Sequence, residues 1–264
     1  MAVRHLRGCA PLAAALAIGL FGSATAEADP NALWTIVHDQ CVVDEQQHHD
    51  PAPCSRVDLS RGEDAGFVVL KDIVGERQYL LLPTARLTGI ESPELLEPGA
   101  TNYFGEAWRA RAFVEQRAGG TIAREWMSLA INSAVSRSQN QLHIHIDCVR
   151  ADVHDALREA AAAIGPAWQP LPVPLVGHTY WAMAVDGTDL DANPFTLLAD
   201  GLPGARADMG LYTLVVVGTT GPAGRPGFVI LADRADVDNG AGGEELQDHE
   251  ACPPPVPPTP GTAK

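Results

Sequence analysis

The chain of 264 residues is 46% hydrophobic and 19% charged, a globular composition long enough for a sizeable core. Its 18 Lys+Arg against 33 Asp+Glu give a formal net charge of -15. That balance argues against a basic nucleic-acid footprint and against polybasic attraction to anionic lipid, and no obligate protein partner is evident. Residues 1–26 open on Arg4, His5 and Arg7, continue in an apolar run from about Cys9 to Phe21, and reach Ala24-Thr25-Ala26. This order is that of a secretory signal, and the run is short for a spanning helix of about 20 residues. The segment is expected to be a leader cleaved after Ala26 or, alternatively, an anchor tethering the body outside the inner membrane.

Asp29-Pro30 followed by ALWTIVHDQC suggests a cap, a proline at the first helical position and a short helix. FVVLKDI and RQYLLLP, separated by Val74-Gly75-Glu76, give a hairpin signal. TNYFGEAWRARAFVEQRAGG reads as a helix capped by Thr101 or Asn102 and stopped by Gly119. WMSLAIN is the next strand, NSAVSRSQN a polar turn, and QLHIHIDCV alternates, with Leu142, Ile144 and Ile146 on one face and Gln141, His143, His145 and Asp147 on the other. DVHDALREAAAAIG is a helix capped by Asp152. From Trp168 onward come HTYWAMAV, LYTLVVVG and GFVILAD, with a short helix near Pro194 to Leu198. The tail after Cys252, residues 253–264, is Pro-rich and expected to be disordered. Hairpins with helices packed on them predict an α+β fold. The expected boundaries are a body of residues 31–165 and a β-rich portion 166–252 that belongs to the same body.

Apart from Cys9, the chain has Cys41, Cys54, Cys148 and Cys252, an even set suited to an oxidising compartment. Of the three pairings open to four cysteines, the favoured one joins Cys41–Cys54, closing a polar loop with His48 and His49. Its companion, Cys148–Cys252, would pin the C-terminus to the core. No C-x-x-C, P-loop, G-x-G-x-x-G or G-x-S-x-G is present.

The informative stretch is NSAVSRSQNQLHIH, residues 132–145. His143 and His145, two apart on a strand, point the same way about 6–7 Å apart. One imidazole can attack phosphorus while the other manages charge or proton, and Arg137, Ser138 and Gln139 in the preceding turn offer donors to phosphate oxygens. A polar strand face, or a zinc site completed by His154, His178 or His249, would use the same pattern.

NS…SRSQNQLHIHI, together with FVVLKD, QYLLLPTARLTGIESP, AWRAR and the late QDHEAC, resembles the bacterial CDP-diacylglycerol pyrophosphatases over about Leu33 to Cys252. That family is similar to the histidine-triad superfamily in its His-φ-His-φ-His-φ-φ signature, where φ is apolar and the middle His is the nucleophile. The resemblance implies a HIT-like antiparallel sheet, with the β-rich portion readable as a degenerate second half. It implies His143 and His145 as catalytic residues, with Gln141 in place of the first His. A second frame takes His143, His145 and Asp147, making His145 the nucleophile. Asn132 matches a polar residue near the nucleotide, and Arg86 and Lys71 are candidates to offset pyrophosphate charge. The implied reaction is hydrolysis of CDP-diacylglycerol to CMP and phosphatidate on the periplasmic side of the membrane, with no metal and no cofactor. Competing expectations are a zinc-dependent exported hydrolase and an inactive lipid- or nucleotide-binding protein.

Overall fold

The computed structural model describes residues 29–236 and 239–255. The expected leader or anchor of residues 1–26 and most of the Pro-rich tail lie outside them. Ten strands form one sheet in which every pairing is antiparallel: β1 (Arg56–Asp58), β2 (Phe67–Lys71), β3 (Tyr79–Pro83), β4 (Met127–Ile131), β5 (Ile144–Val149), β6 (Gln169–Pro170), β7 (Trp181–Asp186), β8 (Tyr212–Thr220), β9 (Pro226–Arg234) and β10 (Gln247–Asp248). The spatial order is β1-β2-β3-β5-β4-β8-β9-β7-β6, with β10 pairing β5. The expected α+β class holds. The portion after residue 166 continues the same sheet, because β8 pairs β4 from Ser128↔Val217 to Ile131↔Leu214. The outermost strands are short, and one carries a proline, which limits pairing at the edges.

Period-two alternation sets the two faces of the sheet. On one face Val69, Leu81, Leu129, Ile144 and Ile146 meet α3 (Tyr103–Ala118) through Phe104, Ala107, Trp108 and Val114. The helix starts where Asn102 accepts a hydrogen bond from the Gly105 amide and stops at left-handed Gly119, as its sequence predicts. α5 (Pro194–Gly201) extends the same layer, with Phe195 and Phe104 ring centroids 5.1 Å apart.

The opposite face is covered in two places. A helical run made of α1 (Ala32–Ile36), a π-helical stretch Val37–Val42 and α2 (Val43–His48) lies over Val68, Leu70, Leu80 and Leu82. α4 (Ala151–Ala160) and the chain around Leu171 to Tyr180 cover Ala130, Val149, Val215 and Leu231. Between these two apolar clusters the same sheet face carries His143, His145 and Asp147.

Several boundaries differ from the sequence expectation. The first helix begins after Asn31 rather than at Pro30, because Asp29 Oδ1 accepts from the Asn31 amide and closes a turn first. The run continues to His48, so His48 ends a helix, 3.3 Å from Asp44, instead of sitting in a loop. Arg150, not Asp152, precedes α4, and Asp152 bonds the Val153 amide from inside the first turn. β5 begins at Ile144, leaving Gln141 and His143 on its approach. β1, β6 and β10 had no clear hydrophobic signature and were not anticipated.

Both favoured disulfides are present: Cys41–Cys54, with Cα atoms 5.7 Å apart, and Cys148–Cys252, with Cα atoms 5.5 Å apart. They fit an oxidising, exported compartment. Among the described residues no helix is long and apolar enough to cross a membrane.

Candidate active site

Burial on both faces of the sheet makes the polar residues of the 141–147 run costly unless each is paired. Gln141, His143, His145 and Asp147 are all buried. Their remote partners come from three stretches: the β2–β3 turn, the end of β3, and the chain after residue 239.

His143 Nδ1 lies 2.7 Å from the backbone oxygen of Gln141. A carbonyl only accepts, so Nδ1 carries the proton and the lone pair of the neutral ring sits on Nε2. Burial, with the neighbouring His145 ring adding to it, holds the His143 pKa down to about 4. The ring therefore stays neutral and nucleophilic through ordinary pH. It lines a narrow crevice with Thr88, Gly89, Asn132, Arg137 and Gln141. Arg137 Nη1 bonds Glu91 Oε2 at 2.7 Å. Gly89 leaves the room for it, since a Cβ at that position would strike the guanidinium.

His145 is flanked at both nitrogens. Gln78 Nε2 is 2.5 Å from Nδ1 and also donates to Asp72 Oδ2 at 3.0 Å. Glu244 Oε2 is 2.8 Å from Nε2. Asn132 clamps the same glutamate twice, Nδ2 donating to Oε2 at 2.9 Å and Oδ1 accepting from the Glu244 amide at 3.2 Å. These contacts, the His145 one foremost, hold the Glu244 carboxyl down to about 2. The two imidazoles stand 5.0 Å apart between ring centroids. Further along the face, Asp147 Oδ2 is 3.1 Å from His249 Nδ1, and burial pushes its carboxyl up while that contact raises the His249 ring.

The chain that supplies Glu244 and His249 is fixed by several ties. Ser133 donates from its amide to Ala241 O and from its hydroxyl to Gly240 O. Gln247 Nε2 donates to Ser128 and to the His145 carbonyl. Gly243 must lack a side chain, because a Cβ there would meet Thr213, Val215 and the Ile131 carbonyl. The Cys148–Cys252 disulfide closes the arrangement.

The structure thus brings together His143, His145, Asn132, Arg137 and Gln141 of the residues singled out in the sequence. It does not bring Gln139, Arg86 or Lys71 to the crevice. Gln139 spends both ends of its amide on the N-terminal segment, accepting from the Leu33 amide at 3.1 Å and donating to Asp29 O at 3.0 Å. Arg86 is exposed, bonds Asn31 Oδ1 at 2.5 Å and lies over the Trp34 ring. Lys71 pairs with Tyr79 and so belongs to the α3 face, where its Nζ donates to Asp72 O and Gly75 O. Ser138 is exposed in the turn. Among the described residues none of the zinc pattern's third donors clusters with the two imidazoles: His154 stacks on Trp126 at 3.8 Å, His178 lies in a turn with Leu175, and His249 Nδ1 faces Asp147. Among the described residues, the one grouping of three ligand-type atoms is Asp147 with Cys148 and Cys252, whose sulfurs are bonded to each other.

Gln78, Asp72, Glu91 and Glu244 were missed. Only the glycine-rich AGGEEL before the acidic pair hinted at a close backbone approach. A family model described as CDP-diacylglycerol pyrophosphatase matches residues 28–253. A protein of Yersinia pestis named CDP-diacylglycerol pyrophosphatase is 45% identical over 222 residues, spanning 83% of each chain. With this match running through the crevice, its clamps and both disulfides, the chain belongs to the CDP-diacylglycerol pyrophosphatase family.

Proposed function

We propose that the protein is an exported hydrolase that splits the pyrophosphate bond of CDP-diacylglycerol to CMP and phosphatidate, with His143 Nε2 as nucleophile. The observation that carries this is the His143 tautomer: Nδ1–H on the Gln141 carbonyl, a ring kept neutral by burial, and Nε2 left with the lone pair. Nε2 attacks the phosphorus next to the cytidine in line, and the anhydride P–O bond breaks with its electron pair going to phosphatidate. CMP is then bonded to Nε2, and the ring carries a positive charge. Water attacks the same phosphorus, the N–P bond returns its electrons to Nε2, and the water proton leaves with CMP or solvent.

The site has the logic of a histidine triad whose first position is Gln141. The group that accepts the His143 proton is the backbone carbonyl of residue 141, which does not depend on its side chain. The Gln141 amide instead donates to Pro83 O and Ala85 O at 2.9 Å each, tying the end of β3 to the approach of β5. The frame with His145 as nucleophile is disfavoured, since Gln78 and the Glu244 carboxylate stand against its two nitrogens, at 2.5 Å and 2.8 Å. Arg137 supplies the positive charge nearest the crevice and is assigned to the substrate phosphates. Arg137→Gln is expected to raise KM about tenfold with a smaller change in kcat, the signature of a lost charge-assisted contact. The lipid tails stay at the membrane surface, consistent with an exported body on the periplasmic side, whether freed from or tethered by residues 1–26.

The test is product analysis with CDP-diacylglycerol, with and without chelator. CMP and phosphatidate formed at equal rates in EDTA support the His mechanism. Chelation that stops turnover, restored by stoichiometric zinc, would transfer the assignment to the metal alternative. Binding of substrate without any turnover would leave an inactive lipid- or nucleotide-binding protein.

A further inference from the structure

We propose that Glu244 is a positioning residue of the reaction: held by Asn132 and His145, its carboxylate is the fixed anion that balances the positive charge His143 takes on when Nε2 bonds to phosphorus. The inference rests on His143 being the nucleophile and names the group that stabilises its intermediate.

Attack turns a neutral, buried ring into a cation. The Gln141 carbonyl accepts its Nδ1–H but supplies no formal charge. A charge created in a desolvated place is expensive unless an opposite one already stands nearby. The charged groups around His143 are few. Arg137, from the 133–140 turn, has the wrong sign and is paired with Glu91. His145 lies beside it on the same strand face. Asp147 is two residues beyond His145 and committed to His249. Asp72 is 3.8 Å from His145 Nδ1, on the side reached through Gln78. Glu244 stands one imidazole away, on His145 Nε2, and its charge acts on the His143 ring in the sense that favours a cation.

Glu244 meets the other requirement too, that the anion be in place before the reaction starts. Its carboxyl is ionised across the working range. It is contributed from 112 residues beyond Asn132, yet the two are clamped through both backbone and side chain. Gly243 seats the turn against β4 and β8 without a side chain. The same low pKa makes the carboxylate a poor general base, so activation of water is not its task. A rival role is as a stand-in for a phosphate oxygen, occupying the donors of Asn132 and His145 until substrate displaces it.

Rapid-quench measurement with CDP-diacylglycerol labelled in the CMP part separates these. In Glu244→Gln, formation of the acid-labile adduct should slow about tenfold or more with KM nearly unchanged. Glu244→Asp, which keeps the charge, should recover part of the rate. In histidine-labelled protein, the His143 ring should titrate at lower pH in Glu244→Gln, a shift that a merely structural loss would not produce. Glu245→Gln, the exposed neighbour in the same turn, should behave as the parent. An adduct formed at the parental rate, or an unmoved His143 titration, overturns the inference. Tighter substrate binding with faster turnover also overturns it, in favour of the stand-in role. A parent protein that turns over without any adduct removes the nucleophile assignment itself, a failure distinct from the others.

Discussion

His143→Ala is expected to lose the nucleotidyl adduct entirely and to slow turnover on the order of 10³-fold or more, leaving what binding and electrostatics alone provide. The loss is large because, among the described residues, His143 is the one histidine that lines the crevice. His145 is bracketed by Gln78 and Glu244, and its removal should slow the reaction while an adduct still forms on His143. An adduct recovered on residue 145 in His143→Ala would reverse the assignment of the two rings. A second readout follows from burial. The native ring resists protonation until about pH 4, whereas an unfolded histidine takes its proton near 6.5. Between those values the unfolded chain binds more protons, so His143 makes the fold less stable as pH falls through that window. Urea unfolding at pH 7 and pH 5 should therefore show a smaller pH penalty in His143→Ala than in the parent. An equal penalty in both would mean that the ring is protonated in the native state, which a nucleophile cannot be.

Alternation around His143 was legible because a strand buried on both faces still sorts its residues by period: Leu142, Ile144 and Ile146 reached the α3 core, and the two imidazoles shared the other face. The hairpin of β2 and β3, the capped α3 and both disulfides were equally plain, each set by local chemistry of turns, caps and compartment. The partners of His145 were not. Gln78 lies 67 residues and Glu244 about 100 residues away in the chain, and nothing local in ERQYL or GGEEL says that these side chains turn inward. The residues that the crevice leaves out show the complementary limit. Arg86 and Gln139 carry the right donors for phosphate, but a helix entering the body after Pro30 also needs donors and acceptors, and it takes these two. Lys71 was separable in principle: its register beside Tyr79 puts it on the apolar side of the sheet, away from His145, which pairs with Leu80.

Breaking Cys148–Cys252 is expected to cost stability and catalysis together, whereas breaking Cys41–Cys54 should cost stability alone. The first bond closes a loop with a sequence separation of 104, for which chain entropy gives about 4–5 kcal/mol, and the second a separation of 13, for about 3 kcal/mol. Real losses fall within about 2–5 kcal/mol for native disulfides, so the two differ less in stability than in what they hold. Cys41–Cys54 staples the first helical run over Val68, Leu70, Leu80 and Leu82, a cluster without catalytic groups. Cys148–Cys252 fastens to β5 the segment that brings Glu244 to His145, Gln247 to the His145 carbonyl and His249 to Asp147. Local opening of that segment needs far less than global unfolding, and each opening withdraws the carboxylate from the site. Cys252→Ser should therefore lower kcat in fully folded protein well below the denaturation midpoint. Cys54→Ser should shift the urea midpoint while leaving kcat close to the parental value. Equal kcat losses in the two variants, measured where both are fully folded, would show that the C-terminal segment keeps its place without its covalent tie.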